Sequence, residues 1–209
     1  DGSFGTIMGL GCETDFVAKN QAYIDFAKSI SDVAMANKAE SKEALMAMTM
    51  DGITIAEKIA EQVGKIGEKI DITDYALLSA ETVVAYNHSN GKVGVLVAMN
   101  KKGEAVETVG KDVTMQIAAM SPIAIDKNDV PEEVKTREME IGREQARAEG
   151  KPEAILEKIA TGKLEAYFKD ATLLNQKFVK DNSKSIRDVL TAVDKDLTVT
   201  AFKRIGLGA

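Results

Sequence analysis

The sequence predicts a protein of mixed helices and strands, built around a duplicated strand–helix unit that is followed by a helical hairpin. The first observation is that residues 5–10 (Gly-Thr-Ile-Met-Gly-Leu) resemble residues 94–99 (Gly-Val-Leu-Val-Ala-Met) position by position. The second is that a helical pattern follows each of these apolar runs. The third is a change of character after Pro122, where two charge-dense segments with helical spacing begin.

Both copies of the unit combine a short apolar run with an amphipathic helix. Each run is short and apolar enough to form a strand that is covered on at least one face. In each following helix the apolar residues recur every three or four positions and therefore share one face. They are Tyr23, Phe26, Ile30 and Val33 in the first copy, and Val109, Val113, Ile117 and Met120 in the second.

The connection between strand and helix is six residues longer in the first copy than in the second when the two copies are aligned. The longer connection contains residues 12–17, and residues 101–104 form its shorter counterpart. An enlarged loop on a duplicated scaffold favours a specific function for that loop. Phe16 either anchors the loop in the protein's own core or fits a pocket of a partner, and the residue type alone favours the core.

Local patterns predict the elements between the two copies. An Asn-Gly pair within residues 87–91 is typical of a tight hairpin turn. This turn places His88 at an exposed tip, where a solvated turn residue is the simplest interpretation. The predicted helices are residues 42–50 and 53–63, and the predicted strands are residues 69–75, 81–86 and 92–99.

The last third of the chain predicts an antiparallel helical hairpin and a short tail. The Gly-Lys-Pro turn between residues 130–149 and 153–170 stops one helix and starts another. The apolar stripes expected to pack are Val134, Ile141 and Ala148 on one helix, and Ile155, Ile159, Tyr167 and Phe168 on the other. The charged outer face is either solvated or grips a partner. A helix capped by Ser183 or Ser185 and a strand at residues 197–205 complete the prediction.

Composition and charge disfavour several classes of protein. The chain has 209 residues, 44% of them hydrophobic and 29% charged, which is typical of a folded globular protein. A net charge of −6 without any basic block disfavours direct binding to nucleic acid. No apolar run approaches the ~20 residues of a membrane helix, and no signal-peptide pattern opens the chain, so we expect no membrane association. Cys12 is the only cysteine, which excludes an internal disulfide and suits the cytoplasm.

Residues suited to covalent catalysis are scarce. His88 is the single histidine, which excludes a multi-histidine metal site, and there is no Cys-x-x-Cys pair. The Gly-Lys pairs lack the flanking residues of a phosphate-binding loop. Cys12 and His88 are a conceivable nucleophile pair, but a small buried cysteine is the simpler interpretation. We therefore expect no catalytic residues, no cofactor and no metal site, and an enzyme that uses Cys12 and His88 is the weakest alternative.

The run Glu-Thr-Asp-Phe-Val-Ala-Lys-Asn at residues 13–20 resembles the signature of the elongation factor Ts family. The order of the other features is also similar to this family: the duplicated strand–helix unit, the histidine-bearing hairpin, the helical hairpin that turns at Gly-Lys-Pro, and the closing strand. The resemblance therefore covers nearly the whole chain. Members of this family are nucleotide-exchange factors for elongation factor Tu in bacteria and organelles.

The resemblance implies an α+β fold of two related subdomains, each an antiparallel sheet packed with helices, plus an inserted antiparallel coiled-coil helical hairpin. The subdomains are expected at residues 1–75 and 76–209, with the hairpin at about residues 130–170. Family members normally begin with a small ubiquitin-associated-like domain, for which this sequence has no counterpart. We therefore expect the chain to be the core, or dimerisation region, of a longer protein.

By this resemblance, Thr14, Asp15, Phe16 and Val17 form the segment that dislodges Mg²⁺ from elongation factor Tu. Phe16 is the expected wedge, Asp15 contacts the partner nearby, and His88 is a further partner contact. The leading hypothesis is a guanine-nucleotide exchange factor for elongation factor Tu in translation elongation, acting without covalent catalysis. The alternative is a non-catalytic dimerisation or scaffold module that binds elongation factor Tu without exchange activity. A homodimer and a 2:2 complex both stay open.

Overall fold

The computed structural model describes residues 2–89 and 91–208, so Asn90 of the predicted hairpin turn lies outside the described residues. These residues form two compact units. Unit 1 comprises the described residues up to Ala118 together with those from Thr200 onward, and unit 2 comprises Ala119–Val199. The helices and strands, in chain order, are β1 (Phe4–Gly11), α1 (Asp15–Ala18), α2 (Gln21–Asn37), α3 (Lys42–Ala47), β2 (Thr49–Met50), β3 (Ile53–Thr54), α4 (Ile55–Ile66), β4 (Asp71–Ser79), β5 (Thr82–Asn87), β6 (Val93–Met99), α5 (Glu104–Met120), α6 (Glu132–Ala148), α7 (Glu153–Ala171), β7 (Lys177–Phe178), β8 (Asp181–Ser185), α8 (Ile186–Val193) and β9 (Val199–Gly206).

The α+β fold is as predicted, and in unit 1 each copy of the repeat supplies one sheet. β1 pairs antiparallel with β4, while β6 lies between β5 and β9 in a second sheet. α2 packs against β1, and α5 lies so close to the second sheet that an ideal Cβ on Gly110 would lie 2.7 Å from the Val84 side chain. The copies therefore share the order strand, helix, strand, as β1–α2–β4 and β6–α5–β9.

The two sheets of unit 1 meet through small residues of the repeat. An ideal Cβ on Gly5 of β1 would lie 3.2 Å from the Leu96 side chain, and one on Gly94 of β6 would lie 3.1 Å from that of Ile7. Gly5 and Gly94 occupy the same position of the two copies, and so do Ile7 and Leu96. The contact is therefore reciprocal, as expected for two copies related by an approximate two-fold axis. This reciprocity supports the duplication inferred from the sequence.

The predicted helix at residues 42–50 is shorter in the structure. It ends at Ala47, because Met48 has extended backbone angles (φ −69°, ψ 152°). The two residues that follow Met48 form β2, which pairs antiparallel with β3. The helical spacing of apolar residues thus extends beyond Ala47, although the helix itself does not. After Ala47, hydrogen bonds between two short strands replace those of the helix.

α4 has well-defined capping at both ends. The hydroxyl of Thr54 accepts a hydrogen bond from the N–H of Glu57, and the Glu57 carboxylate accepts one from the N–H of Thr54. This reciprocal capping starts the helix two residues later than predicted. At the other end Gly67 adopts the left-handed conformation (φ 79°) and closes the helix, so that β4 begins at Asp71 rather than at Lys69.

Unit 2 contains the predicted helical hairpin, formed by the antiparallel pair α6 and α7. Gly150 in the connecting turn adopts a positive φ of 74°, and Pro152 directly precedes α7. The helices approach closely at Gly142, where an ideal Cβ would lie 3.0 Å from the Cα of Ala160. An ion pair between Arg143 and a glutamate of α7 crosses the hairpin at 2.9 Å.

The buried line of the hairpin differs from the predicted stripe. Ala148 and Ile155 are exposed, whereas Gly142, Ala146 and Leu156 are buried. Two helices that approach at a glycine leave room only for small side chains at the contact. A straight helix also drifts away from a strict seven-residue repeat. The assignment of Ala148 and Ile155 to the packed face was therefore wrong.

Of the two serines predicted as alternative caps of the last helix, Ser185 is the cap in the structure. The hydroxyl of Ser185 accepts a hydrogen bond from the N–H of Asp188 and starts α8, whereas Ser183 lies in β8. β8 was not predicted, because its five residues are all polar and carry no apolar alternation. The predicted closing strand is present as β9 and begins two residues later than predicted.

The predicted boundary between subdomains, at residues 75 and 76, falls within β4. Units 1 and 2 are divided elsewhere along the chain, after Ala118 and before Thr200. The packing of the two sheets within unit 1 joins parts of both predicted subdomains into one compact unit. The subdomain boundary itself stays a prediction.

Candidate functional site

The enlarged connection between β1 and α2 is a short helix rather than an irregular loop. α1 has only four residues and is capped by Thr14, which has extended backbone angles and a hydroxyl that accepts a hydrogen bond from the Val17 N–H at 3.4 Å. A helix this short is not stable on its own, because nucleation costs more than one turn of hydrogen bonds returns. The rest of unit 1 must therefore hold it.

One support is the carboxylate of Glu68, which lies beside the start of α1. Its Oε2 accepts hydrogen bonds from the N–H groups of Glu13 (3.2 Å) and Thr14 (3.0 Å). Its Oε1 accepts one from the Thr14 hydroxyl at 2.6 Å. Glu68 is half-buried and follows Gly67, the residue that ends α4. A single carboxylate therefore binds two backbone groups and one side chain at the beginning of the candidate segment.

A second support is an ion pair between Asp15 of α1 and Lys92, which directly precedes β6. The Asp15 Oδ1 and Lys92 Nζ atoms are 3.0 Å apart. The hydrogen bond from Lys92, its positive charge and that of Lys19 all hold the pKa of the Asp15 carboxyl below its usual range. Both partners are largely exposed, so the ion pair contributes little to global stability, but it joins the two copies of the repeat at this point.

Phe16 and Val17, neighbours on α1, differ in exposure. The Phe16 side chain is 90% exposed, so the interpretation of Phe16 as an anchor in its own core was wrong. Val17 is half-buried and packs against the core cluster that contains Leu10 and Tyr23. The Tyr23 hydroxyl donates a hydrogen bond to the Leu10 carbonyl at 2.9 Å, and burial raises the pKa of that hydroxyl. Val17 therefore attaches α1 to the core of unit 1, while the Phe16 ring is exposed to solvent.

His88 lies in the turn between β5 and β6 and is exposed, as predicted. Its Nδ1 is 2.8 Å from the Tyr86 hydroxyl, and the two rings are tilted by 51° with centroids 5.9 Å apart. Its N–H donates to the Val93 carbonyl and its own carbonyl accepts from the Gly91 N–H, both at 2.8 Å. Lys92 of the same turn bonds to Asp15, so the ion pair links the turn that carries His88 to the α1 segment.

The alternative of an enzyme that uses Cys12 and His88 has no support in the geometry. The half-buried Cys12 thiol donates to the Thr14 carbonyl at 3.4 Å, and His88 bonds to Tyr86. Among the described residues, no hydrogen bond joins Cys12 to His88. The described part of the chain also contains no group of three or more His, Cys, Asp or Glu side chains that could hold a metal ion.

Glu68 and Lys92 were not identified from the sequence. In the structure, the position of Glu68 follows from the register of β1 with β4, which the sequence analysis did not predict. Gly11 pairs with Asp71, so Thr14, three residues beyond Gly11, lies opposite Glu68, three residues before Asp71. Lys92 carries no such signal, because its ion pair depends on how the second sheet packs against the first.

Over residues 2–89 and 91–208, no helix is both long enough and apolar enough to cross a membrane.

Comparison with known proteins identifies the family. The family model described as Elongation factor TS matches residues 13–209. The chain is 53% identical over 209 residues to the elongation factor Ts of Cytophaga hutchinsonii, an alignment that covers 99% of this chain and 75% of that protein. It is 50% identical to that of Amoebophilus asiaticus (98% and 74% covered) and 41% identical to that of Flavobacterium psychrophilum (100% and 75% covered). The chain belongs to the elongation factor Ts family.

Proposed function

We propose that this chain promotes the release of GDP from elongation factor Tu, and that Phe16 does so by displacing the Mg²⁺ ion that elongation factor Tu binds with its nucleotide. Membership of the elongation factor Ts family implies the exchange role in translation elongation. The observation that supports the role of Phe16 is its 90% exposed ring on a short helix that Glu68, Lys92 and Val17 hold in place. A fixed, exposed aromatic ring fits the role of a group that enters a partner.

An exposed phenylalanine ring is a large apolar group that gains free energy when a partner covers it. Burial of such a side chain contributes about 2 kcal/mol. Because Glu68, Lys92 and Val17 already order the backbone of α1, little backbone entropy is lost when the Phe16 ring enters a partner, and the main entropic cost is the rotamer freedom of the ring itself. Aromatic side chains of this kind are typical of the few residues that dominate the energy of an interface.

Displacement of Mg²⁺ needs no covalent step. Mg²⁺ demands near-ideal octahedral coordination, so a small shift of its protein ligands weakens its binding and that of the phosphates it bridges. The factor needs only to bind the nucleotide-free partner more tightly than the GDP-bound one. A difference of ~5.5 kcal/mol converts a 1:99 population into 99:1. By linkage, GDP weakens binding of the factor by the same amount that the factor weakens binding of GDP.

The other candidate residues divide into supporting and contacting groups. Thr14 and Val17 support α1 from within unit 1, through the cap and the core contact. Asp15 and His88 are exposed and are proposed to contact elongation factor Tu. Asp15 contacts the partner either while it stays paired with Lys92 or by exchanging this ion pair for a new one.

The test is a stopped-flow measurement of labelled GDP release from elongation factor Tu, with and without this chain. We expect Phe16→Ala to slow the release by at least ~30-fold, as the loss of about 2 kcal/mol at the interface implies. Met35→Ala is the matched control, because Met35 is also an exposed apolar residue but lies near the far end of α2. Failure of the wild-type chain to accelerate release would support the scaffold alternative.

A second arm separates Mg²⁺ displacement from other routes to release. The same measurement is repeated with excess EDTA, which removes Mg²⁺ before the factor is added. If Phe16 acts by displacing Mg²⁺, the wild-type chain and Phe16→Ala then differ much less than they do with Mg²⁺ present. An undiminished difference in EDTA would show that Phe16 promotes release by another route.

The mass of the complex in solution tests the open alternatives of a homodimer and a 2:2 complex.

A further inference from the structure

We infer that Glu68 is a positioning residue for nucleotide exchange, which acts through Phe16 by fixing the start of the helix that presents the ring. This inference rests on the proposed function of Phe16. Glu68 does not itself need to touch the partner, because its carboxylate is already occupied by three hydrogen bonds within unit 1. The inference adds a residue outside the Thr14–Val17 segment to the groups on which exchange depends.

The position of Glu68 follows from the antiparallel pairing of β1 with β4. The last paired residues are Gly11 and Asp71, where the strand pairing ends. The N–H groups of Glu13 and Thr14 then have no strand carbonyl to bind, and because both residues are exposed, water is the only other partner open to these groups. The Glu68 carboxylate replaces the missing strand partner for both groups. The backbone that follows β1 is thereby bound to the segment that precedes β4, although the strand pairing has ended.

The carboxylate also orients the cap of α1. The Thr14 hydroxyl donates its hydrogen to Glu68 Oε1 at 2.6 Å, which leaves its oxygen lone pairs free to accept the Val17 N–H at 3.4 Å. Hydrogen bonds to a charged carboxylate are stronger than those between neutral groups. A continuous path therefore runs from Glu68 through the Thr14 hydroxyl to the first turn of α1, and Phe16 lies within that turn.

Without this carboxylate we expect α1 to remain attached but to fluctuate. Val17 still contacts the core and Asp15 still pairs with Lys92, so the fold of unit 1 does not depend on Glu68. A four-residue helix whose cap is no longer oriented samples several conformations. The Phe16 ring then occupies its binding orientation for only part of the time, and the rate of GDP release falls in proportion to that fraction.

The first test compares three variants in the GDP-release assay with elongation factor Tu. We expect Glu68→Ala to slow release about tenfold, since it removes three hydrogen bonds to a charged group. Glu68→Gln is expected to lie between Glu68→Ala and the wild type, because an amide oxygen can still accept both N–H groups but carries no charge. Glu61→Ala is the matched control, since Glu61 is an exposed glutamate on α4. Wild-type rates for Glu68→Ala would overturn the inference.

A double-mutant cycle then asks whether Glu68 acts through Phe16. If it does, Glu68→Ala slows release in the wild-type background but has almost no further effect when Phe16 is already alanine. A residue that merely stabilised the chain would slow release by the same factor in both backgrounds. An additive result would therefore overturn the positioning role.

A third measurement does not depend on exchange activity. In the isolated chain, the amide hydrogens of Glu13 and Thr14 are expected to exchange with solvent about tenfold faster in Glu68→Ala than in the wild type, with no change in α2 or β4. Equal exchange in both proteins overturns the inference about Glu68 whatever the GDP assay gives. A wild-type chain that protects these amides but does not accelerate GDP release contradicts the proposed function instead.

Discussion

A close approach between α6 and α7 makes Gly142 a sharp test of the hairpin packing. We predict that Gly142→Val destabilises unit 2. An ideal Cβ on Gly142 would lie 3.0 Å from the Cα and 3.3 Å from the Cβ of Ala160. The nearest of these atoms belongs to the backbone of α7, so it cannot move aside as the end of a flexible side chain can. The two helices must separate, and the buried contacts of Ala146 and Leu156 weaken with them.

Two opposing effects set the size of this change. Overpacking of a tight contact costs about 1–3 kcal/mol. Valine has a better helix propensity than glycine, which returns about 0.5 kcal/mol. The first effect wins, and we expect a net loss of about 1–2 kcal/mol. For a unit of this size, each kcal/mol lowers the unfolding midpoint by about 4–8 °C.

The matched control is Gly162→Val in the partner helix α7. An ideal Cβ on Gly162 has no neighbouring atom within 4 Å, so only the gain in helix propensity remains. The assay is thermal unfolding followed by circular dichroism, with amide hydrogen exchange to assign the change to α6 and α7. If Gly142→Val proved as stable as Gly162→Val, the close contact would not be what limits the residue at position 142.

Two further predictions concern unit 1. Gly64→Ala is expected to raise the free energy of unfolding by up to about 1 kcal/mol in urea, because Gly64 lies within α4 with no atom within 4 Å of its ideal Cβ; an unchanged midpoint would contradict this. Lys92→Met is expected to raise the pKa of Asp15 back towards 3.8 in an NMR titration, since the hydrogen bond from Lys92 is the largest cause of its lowering. The pKa of Asp15 is lower in the folded chain than in the unfolded chain. The ion pair therefore stabilises the folded chain at a pH above the ordinary pKa of aspartate, and this effect is lost as the pH falls through the lowered pKa. An Asp15 pKa that is the same in both proteins would refute this assignment.

The parts of the fold that could be predicted are those with a strong local pattern. The strands of the repeat, α2, α5 and the Gly-Lys-Pro turn each combine periodic apolar residues with turn or capping residues, and the structure contains all of them. β7 and β8 could not be predicted, because β8 is wholly polar and its pairing depends on the surrounding chain. The packed face of the hairpin was misassigned because a glycine, which carries no hydrophobic signal, sets the line of contact.

For the candidate site, the sequence could predict where the special segment lies but not what holds it. The extra length of the first connection and the run at residues 13–20 both indicate this segment directly. The residue type of Phe16 alone favoured a buried side chain, because aromatic residues are more often buried than exposed, whereas the structure shows it exposed. The partners of the segment, Glu68 and Lys92, lie 54 and 77 residues away from Thr14 and Asp15, and only the folded structure brings them together.

The asymmetry of the repeat explains why Glu68 and Lys92, which hold α1 in place, come from elements outside the connection between β1 and α2. The second copy passes from β6 to α5 through a short turn, so it has no counterpart of α1 and no exposed ring to hold. The first copy has such a segment, and Val17 is the part of it that packs against the core of unit 1. Its remaining support has to come from neighbouring elements: the end of α4 supplies Glu68, and the turn before β6 of the second copy supplies Lys92. The duplicated copy thus serves as scaffold for the specialised one. On this reasoning, Glu68 and Lys92 hold adjacent residues, Thr14 and Asp15, at the start of one short helix, and the effects of their variants on GDP release should be coupled rather than additive.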